Sequence, residues 1–170
     1  MTGEAIEIAL IAAVADNGVV GADGSIPWHY SEDMKHFKRT TTGHPVILGR
    51  RTYENVVAGL GEPFPERLSV VLTETLSDLP KRAVAVQSVD EALSVARESA
   101  REMGVETVFV AGGSAVYEAF LPLADRLVLT ELHDSYAGDR YFPDVAWDDW
   151  REVGREQRED FDFVEYRRID

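Results

Sequence analysis

Asp33 is the residue in this 170-residue chain whose type and surroundings point most directly to chemistry. It follows a turn-rich loop carrying Gly21, Asp23, Gly24 and Ser25, and stands five residues after Trp28 of the pair Pro27-Trp28. Ser31 is the expected N-cap of a helix, because a serine hydroxyl accepts a bond from an orphaned first-turn amide. Met34, Phe37 and Thr41 then recur at helical spacing, which sets Asp33 in the first turn beside an apolar stripe. Burying a carboxylate is costly unless something pairs with it, so Asp33 suits an acid, a base or a ligand anchor. The plain alternative is an acidic residue turned to water and favoured by the helix dipole.

Two other stretches suit anions. Gly49-Arg50-Arg51-Thr52 joins a strand to a helix N-terminus, where amides, a hydroxyl and two guanidinium groups can meet a phosphate. Gly112-Gly113-Ser114-Ala115-Val116-Tyr117 repeats the arrangement without the charge, and its paired glycines let a ligand approach the backbone. Two such turns together point to a dinucleotide or another long phosphorylated ligand, although a glycine turn after a strand is most often only a turn. The GxGxxG and GxSxG patterns are absent. The four histidines are scattered without a third partner at ligand spacing, so no metal is expected.

The elements that must position these residues follow from apolar patterning and breakers. Ile6 to Ala15 is a continuous apolar run too short for an uncapped helix, and reads as a strand buried on both faces, extended past a bulge by Val19-Val20. The helix after Ser31 ends near Thr42-Gly43. Val46 to Leu48 makes a short strand, and Thr52 caps a second helix that ends at Gly59-Leu60-Gly61. Pro63-Phe64-Pro65 reads as a stiff surface connection ending at Arg67. Leu68 to Thr73 and Val84 to Val86 are strands, and Ser88 with Glu91 forms a capping box for a helix through Met103. Val105 to Ala111 is a strand, Ala115 to Leu121 a helix stopped by Pro122, and Arg126 to Leu132 another strand. After a polar loop from Asp134 to Pro143, Arg151 to Gln157 and Asp162 to Ile169 form an antiparallel hairpin. The expected fold is a single-domain α/β structure over residues 1–170, with a mainly parallel central sheet flanked by helices on both faces and an antiparallel C-terminal hairpin. Ligands in such sheets sit outside the carboxyl ends of the strands, which puts Ala13 to Val20, Gly49 to Thr52, Thr73 and Gly112-Gly113 on one rim.

Composition narrows the function. The chain carries 31 acidic and 17 basic residues, a net charge of -14, which argues against nucleic acid or an anionic membrane as partner. Acidic residues are spread along the whole chain, as in a surface adapted to high salt. No apolar run approaches a membrane span, the start lacks the basic residues of a secretory signal, and cysteine is absent, so a cytoplasmic protein is expected.

In the order of its motifs the chain resembles the dihydrofolate reductase family over essentially its whole length. Leu10 to Ala15 followed by Asn17-Gly18-Val19-Val20-Gly21 is similar to the family's first strand and mobile active-site loop. Pro27-Trp28 with Asp33, Phe37 and Lys38 matches its loop-to-helix signature, and Pro45 to Glu54 its first cofactor-phosphate turn. Pro63 to Arg67 resembles the segment whose arginine holds the substrate's glutamate carboxylate, Ala111 to Tyr117 the pyrophosphate turn with a cis Gly-Gly peptide, and Gly138 to Pro143 the late loop packed on the active-site loop.

The resemblance implies NADPH-dependent reduction of dihydrofolate to tetrahydrofolate in one-carbon metabolism, by a monomer that also takes antifolate-type small molecules. It implies that Asp33 pairs with the pterin 2-amino group and N3, helped by Thr130 through a bridging water, with Trp28 positioning an ordered water. Ile11, Ala13, Met34, Phe37, Ala111 and Tyr117 would line the pterin and nicotinamide pocket, and Arg67 would take the tail carboxylate. Arg50, Arg51 and Thr52 would hold cofactor phosphates, with Ala13, Val20, Gly49, Leu72, Thr73, Gly112, Gly113, Ser114, Ala115 and Val116 completing the cofactor site. Thr73-Glu74 stands where the family usually offers a serine or a basic residue to the ribose phosphate, and Gln87 where it sometimes has lysine, so preference for NADPH rests on Arg50 and Arg51. The nearest alternative is another pterin or pyrimidine reductase of the same fold, such as the riboflavin-pathway type. From another class, the alternative is a non-catalytic pterin- or nucleotide-binding module.

Overall fold

The computed structural model describes residues 6–22, 26–75 and 78–169. Its centre is an eight-stranded sheet in the order β5-β4-β3-β6-β1-β7-β10-β9. The strands are β1 (Glu7–Val14), β3 (Pro45–Gly49), β4 (Leu68–Leu72), β5 (Ala83–Val86), β6 (Thr107–Val110), β7 (Arg126–Leu132), β9 (Trp150–Gln157) and β10 (Phe161–Arg168). β5 through β7 in the sheet order run parallel, and β10 and β9 return antiparallel, as expected.

Alternation along the buried strands explains the layers. Ile8 and Leu10 of β1, with Ile47, Val70, Val108 and Val110, face α3 (Val89–Met103) and α4 (Ser114–Phe120) through Ala92, Ala96, Ala100 and Phe120. Their neighbours Ala9, Ile11, Val46, Leu48, Val71 and Phe109 face the other way, against α1 (Ser31–Thr41) and α2 (Arg50–Leu60). Successive strand side chains point to opposite faces, so an unbroken apolar run feeds two cores at once. The three alanines of α3 recur every fourth position and let that helix lie close on the sheet.

Three local expectations change. Ser31 is not the N-cap: Tyr30 holds that position in extended backbone, and its carbonyl accepts from the Met34 amide. Tyr30 is fixed there by tertiary contacts, its hydroxyl 2.7 Å from that of Tyr136 and its ring edge-on to Phe161. Thr52 likewise lies inside α2, whose N-cap is Gly49. Val19-Val20 does not prolong β1. It belongs to β2 (Val19–Gly21), which turns back at Gly18 (φ 89°) and pairs with β8 (Arg140–Tyr141), a two-residue strand in the loop read as irregular. The Ser88 capping box forms: Ser88 Oγ accepts from the Glu91 amide at 3.0 Å, while Glu91 accepts from the Gln87 amide at 2.8 Å.

Candidate active site

Because β1, β3, β4, β5 and β6 are parallel, their carboxyl ends share one rim. Gly49 stands at the end of β3, Leu72-Thr73 at that of β4, and Ala111-Gly112 just past β6, between β3 and β1. The two glycine turns are not independent. The Gly49 amide donates to the Gly112 carbonyl at 2.8 Å, and a Cβ placed on Gly49 would meet Val116 at 3.1 Å. Gly112 (φ 107°) sits over the Tyr117 ring, where a Cβ would come within 3.1 Å, and the Gly112-Gly113 peptide is cis. Tyr117 cannot retreat, since its ring is buried and its hydroxyl donates to the Ile11 carbonyl at 2.8 Å. Both turns therefore present bare backbone, with the first residues of α2 and α4 behind them.

Beside the first turn lies a cleft of about 470 Å³ lined by Arg50, Leu72, Thr73, Glu74, Thr75, Gln87, Ser88 and Val89. The starts of α2 and α3 both reach it, and converging helix N-termini favour an anion there. Arg50 contributes a cation, tethered by bonds of 3.1 and 3.2 Å to Glu54. Glu74 opposes it with a carboxylate that has no ion-pair partner among the described residues. Arg51 is exposed one residue further along α2.

Asp33 projects from the first turn of α1 and is half-buried. Its Oδ1 accepts from the buried Thr130 hydroxyl of β7 at 2.6 Å. Burial pushes the Asp33 carboxyl above its ordinary range, opposed by the Thr130 bond and by nearby His36. Oδ2 has no protein partner among the described residues, so half of a partly desolvated carboxylate is left for a ligand. The water-facing alternative for Asp33 does not hold: the side chain is half-buried and bonded to a neighbouring strand.

Ile11 is buried and Ala13 partly exposed; Phe37 packs 5.4 Å from Phe64, and Met34 is 55% exposed. Trp28 is buried, its ring 5.0 Å from Tyr136. Residues 23–25 of the preceding loop lie outside those described.

Arg67 departs from the surface segment expected: it is only 5% exposed. Its Nε donates to the Pro65 carbonyl at 2.9 Å and its Nη1 to Thr41 at 3.0 Å, with the guanidinium 4.4 Å over the Phe64 ring. Among the described residues no carboxylate pairs with it, and Nη2 remains uncommitted. A buried guanidinium held from two sides with one nitrogen idle is built to receive an anion.

Several supporting residues have no local signature. Thr41 and Phe64 hold Arg67, while Asn17 brackets Tyr136 by donating to its carbonyl at 2.9 Å and accepting from its amide at 3.3 Å. Asp139 donates its amide to the Gly21 carbonyl at 3.1 Å, joining the late loop to the early one. Apart from Phe64 with Arg67, three residues apart, these contacts join residues distant in sequence, so only folding reveals them. Among the described residues no group of three or more histidines or carboxylates could hold a metal ion.

Comparison with known proteins agrees with this geometry. The family model described as dihydrofolate reductase matches residues 7–168. Dihydrofolate reductase HdrB of Haloferax volcanii is 55% identical over 164 residues, covering 96% of this chain and 84% of its own. Dihydrofolate reductase 1 of Haloarcula marismortui is 38% identical, covering 94% and 90%. A solved structure of dihydrofolate reductase from Enterococcus faecalis, complexed with NADP(H) and RAB-propyl, is 30% identical, with a TM-score of 0.83 and 98% coverage of both chains. On this evidence the chain belongs to the dihydrofolate reductase family.

Proposed function

We infer that the chain is an NADPH-dependent dihydrofolate reductase, converting 7,8-dihydrofolate to 5,6,7,8-tetrahydrofolate. The observation that carries the reading is the half-committed Asp33 carboxylate, fixed by Thr130 and open on its other oxygen beside a paired-turn backbone cradle.

The residues present fit the cofactor. Bare backbone at Gly49 and at Gly112-Gly113 admits a pyrophosphate, and Thr52, Ser114, Ala115 and Val116 frame it. Arg50 and Arg51 supply charge for phosphate, with Leu72 and Thr73 walling the adenosine side and Ala13 and Val20 the nicotinamide side. When bound, NADPH supplies a hydride to C6 of the pterin.

The protein's own contribution is placement and electrostatics. Asp33 accepts from the pterin 2-amino group and N3, and its fixed negative charge favours the protonated ring needed at N5. Thr130 keeps the carboxylate from rotating away. Ile11, Phe37, Ala111, Tyr117 and buried Trp28 give the ring an apolar, water-poor slot, with Met34 contributing from its exposed margin, and such a slot lowers the cost of orientation. Arg67 takes the carboxylate of the glutamate tail through its idle nitrogen.

Residues 1–170 act as one dihydrofolate reductase-like domain, a cytoplasmic monomer whose partners are folates and antifolates rather than nucleic acid or membrane. No helix among the described residues is long and apolar enough to cross a membrane. The test is loss of the NADPH absorbance on adding dihydrofolate, at low and at molar salt. Turnover with dihydrofolate is expected. Tight binding without turnover would indicate a binding module, and turnover only with a riboflavin-pathway pyrimidine would indicate that reductase instead.

A further inference from the structure

The first turn of α1 has no side-chain N-cap, yet it carries the carboxylate on which the site depends. Its anchorage is tertiary. One turn after Asp33, the His36 ring lies nearly flat on Phe163 of β10, with centroids 4.1 Å apart and 19° between planes. Phe163 is in turn the register partner of Thr130, whose hydroxyl holds Asp33. The contacts thus close a circuit from Asp33 through Thr130 and Phe163 to His36, and back along the helix. A second link lies outside it: Arg158 donates to Glu32 at 2.6 Å, with its guanidinium 5.3 Å over the same Phe163 ring.

We propose that His36 is a positioning residue, whose stacking on Phe163 holds the first turns of α1 against β10 and keeps the Asp33 carboxylate aligned for the pterin. The proposal rests on reading Asp33 as the pterin anchor. Burial favours the neutral imidazole, which suits a flat stack on phenyl; of the surrounding charges, Asp33, Glu156 and Glu32 favour protonation and Arg39 opposes it. The two links also differ in their response to salt. The exposed Glu32–Arg158 pair is screened when the Debye length falls to about 3 Å at 1 M, whereas an aromatic stack is not. In a chain with net charge -14, the stack is the link that persists in molar salt.

The test compares His36→Ala and His36→Phe with wild type and Asp33→Asn, by direct fluorescence titration with a 2,4-diaminopyrimidine antifolate and separately with NADPH. A misplacement near 1 Å can cost about a hundredfold, so His36→Ala is expected to weaken the diaminopyrimidine by about tenfold or more while NADPH stays within about twofold. His36→Phe keeps a ring on Phe163 and should restore affinity to within about threefold of wild type. Phe163→Leu, which keeps apolar bulk and loses the stack, should behave as His36→Ala and stands in if that variant does not fold. Equal affinity in His36→Ala and wild type, parallel weakening of both ligands, or failure of His36→Phe to rescue would overturn the proposal. If Asp33→Asn retained full diaminopyrimidine affinity, the reading of Asp33 itself would fall, independently of His36.

Discussion

Replacing Asp33 by Asn isolates charge from shape. The Asn carbonyl oxygen can still accept from Thr130, now at 2.6 Å from Oδ1, so the side chain keeps its orientation. What changes is the open position, where an acceptor oxygen becomes an amide donor facing the pterin's own donors. Losing one partner of a buried, hydrogen-bonded charge pair costs about 3–5 kcal/mol. Each 1.36 kcal/mol is a factor of ten in rate, so kcat/KM for dihydrofolate should fall by about two to three orders of magnitude or more. The loss should shrink as pH falls, because substrate that is already protonated depends less on the carboxylate. Stability should move the other way. Burial raises the Asp33 pKa above 3.8, so the linked stability is fully present below about pH 3.8 and lost as pH rises through the folded value. At neutral pH the ionised group therefore costs the ligand-free protein stability, and the Asn variant should unfold at the same temperature or higher, with any advantage fading toward pH 3.8. Stopped-flow turnover across pH, paired with thermal melts, checks both halves. Near-wild-type kcat/KM at neutral pH would refute the role of Asp33, and a clearly less stable variant would refute the electrostatic account.

The cofactor cleft makes a second prediction. Alanine at Arg50 or Arg51 should raise KM for NADPH about tenfold to a hundredfold, far more than for NADH, since charge-assisted bonds contribute about 1.5–3 kcal/mol. Glu74→Ser should tighten NADPH, and equal weakening of both cofactors by the arginine variants would reassign those arginines to the pyrophosphate or the helix. Salt gives a third. The 31 acidic residues share 9110 Å² of surface, about 17 Å between neighbours, against a Debye length of about 8 Å at physiological ionic strength and about 3 Å at 1 M. The midpoint of thermal unfolding should rise clearly from dilute buffer to molar KCl, in keeping with relatives from Haloferax volcanii and Haloarcula marismortui, and a flat response would remove the salt-adapted reading. The fourth concerns His133, whose Nε2 lies 3.0 Å from Asp162 and whose pKa that bond raises above 6.5. Its contribution is present below about pH 6.5 and lost as pH rises through the folded value, so the midpoint should decline across that window and His133→Gln should flatten the decline.

The sequence by itself determined the parallel sheet, the helix order and most of the rim. Those follow from short-range rules: unbroken apolar runs such as Ile8 to Ala12 must be buried on both faces, and Gly43, Gly61 and Gly104 take the positive φ that ends a helix. The capping box at Ser88 and the Gly112-Gly113 turn were legible for the same reason, since residues three apart or adjacent carry the whole signal. Helix starts were not legible where tertiary contacts outweighed capping preference, as at Tyr30, whose hydroxyl meets Tyr136 from 106 residues away. Whether Asp33 anchors a ligand or only faces water is likewise not local information, since β7 brings Thr130 to it across 97 residues, and the segment ending at Arg67 reads as surface although Thr41 and Phe64 enclose that arginine. Local sequence records backbone preferences and which faces are apolar. Which polar groups are dried, paired or left half-satisfied depends on neighbours that only the folded sheet supplies, and that decides which residues can do chemistry.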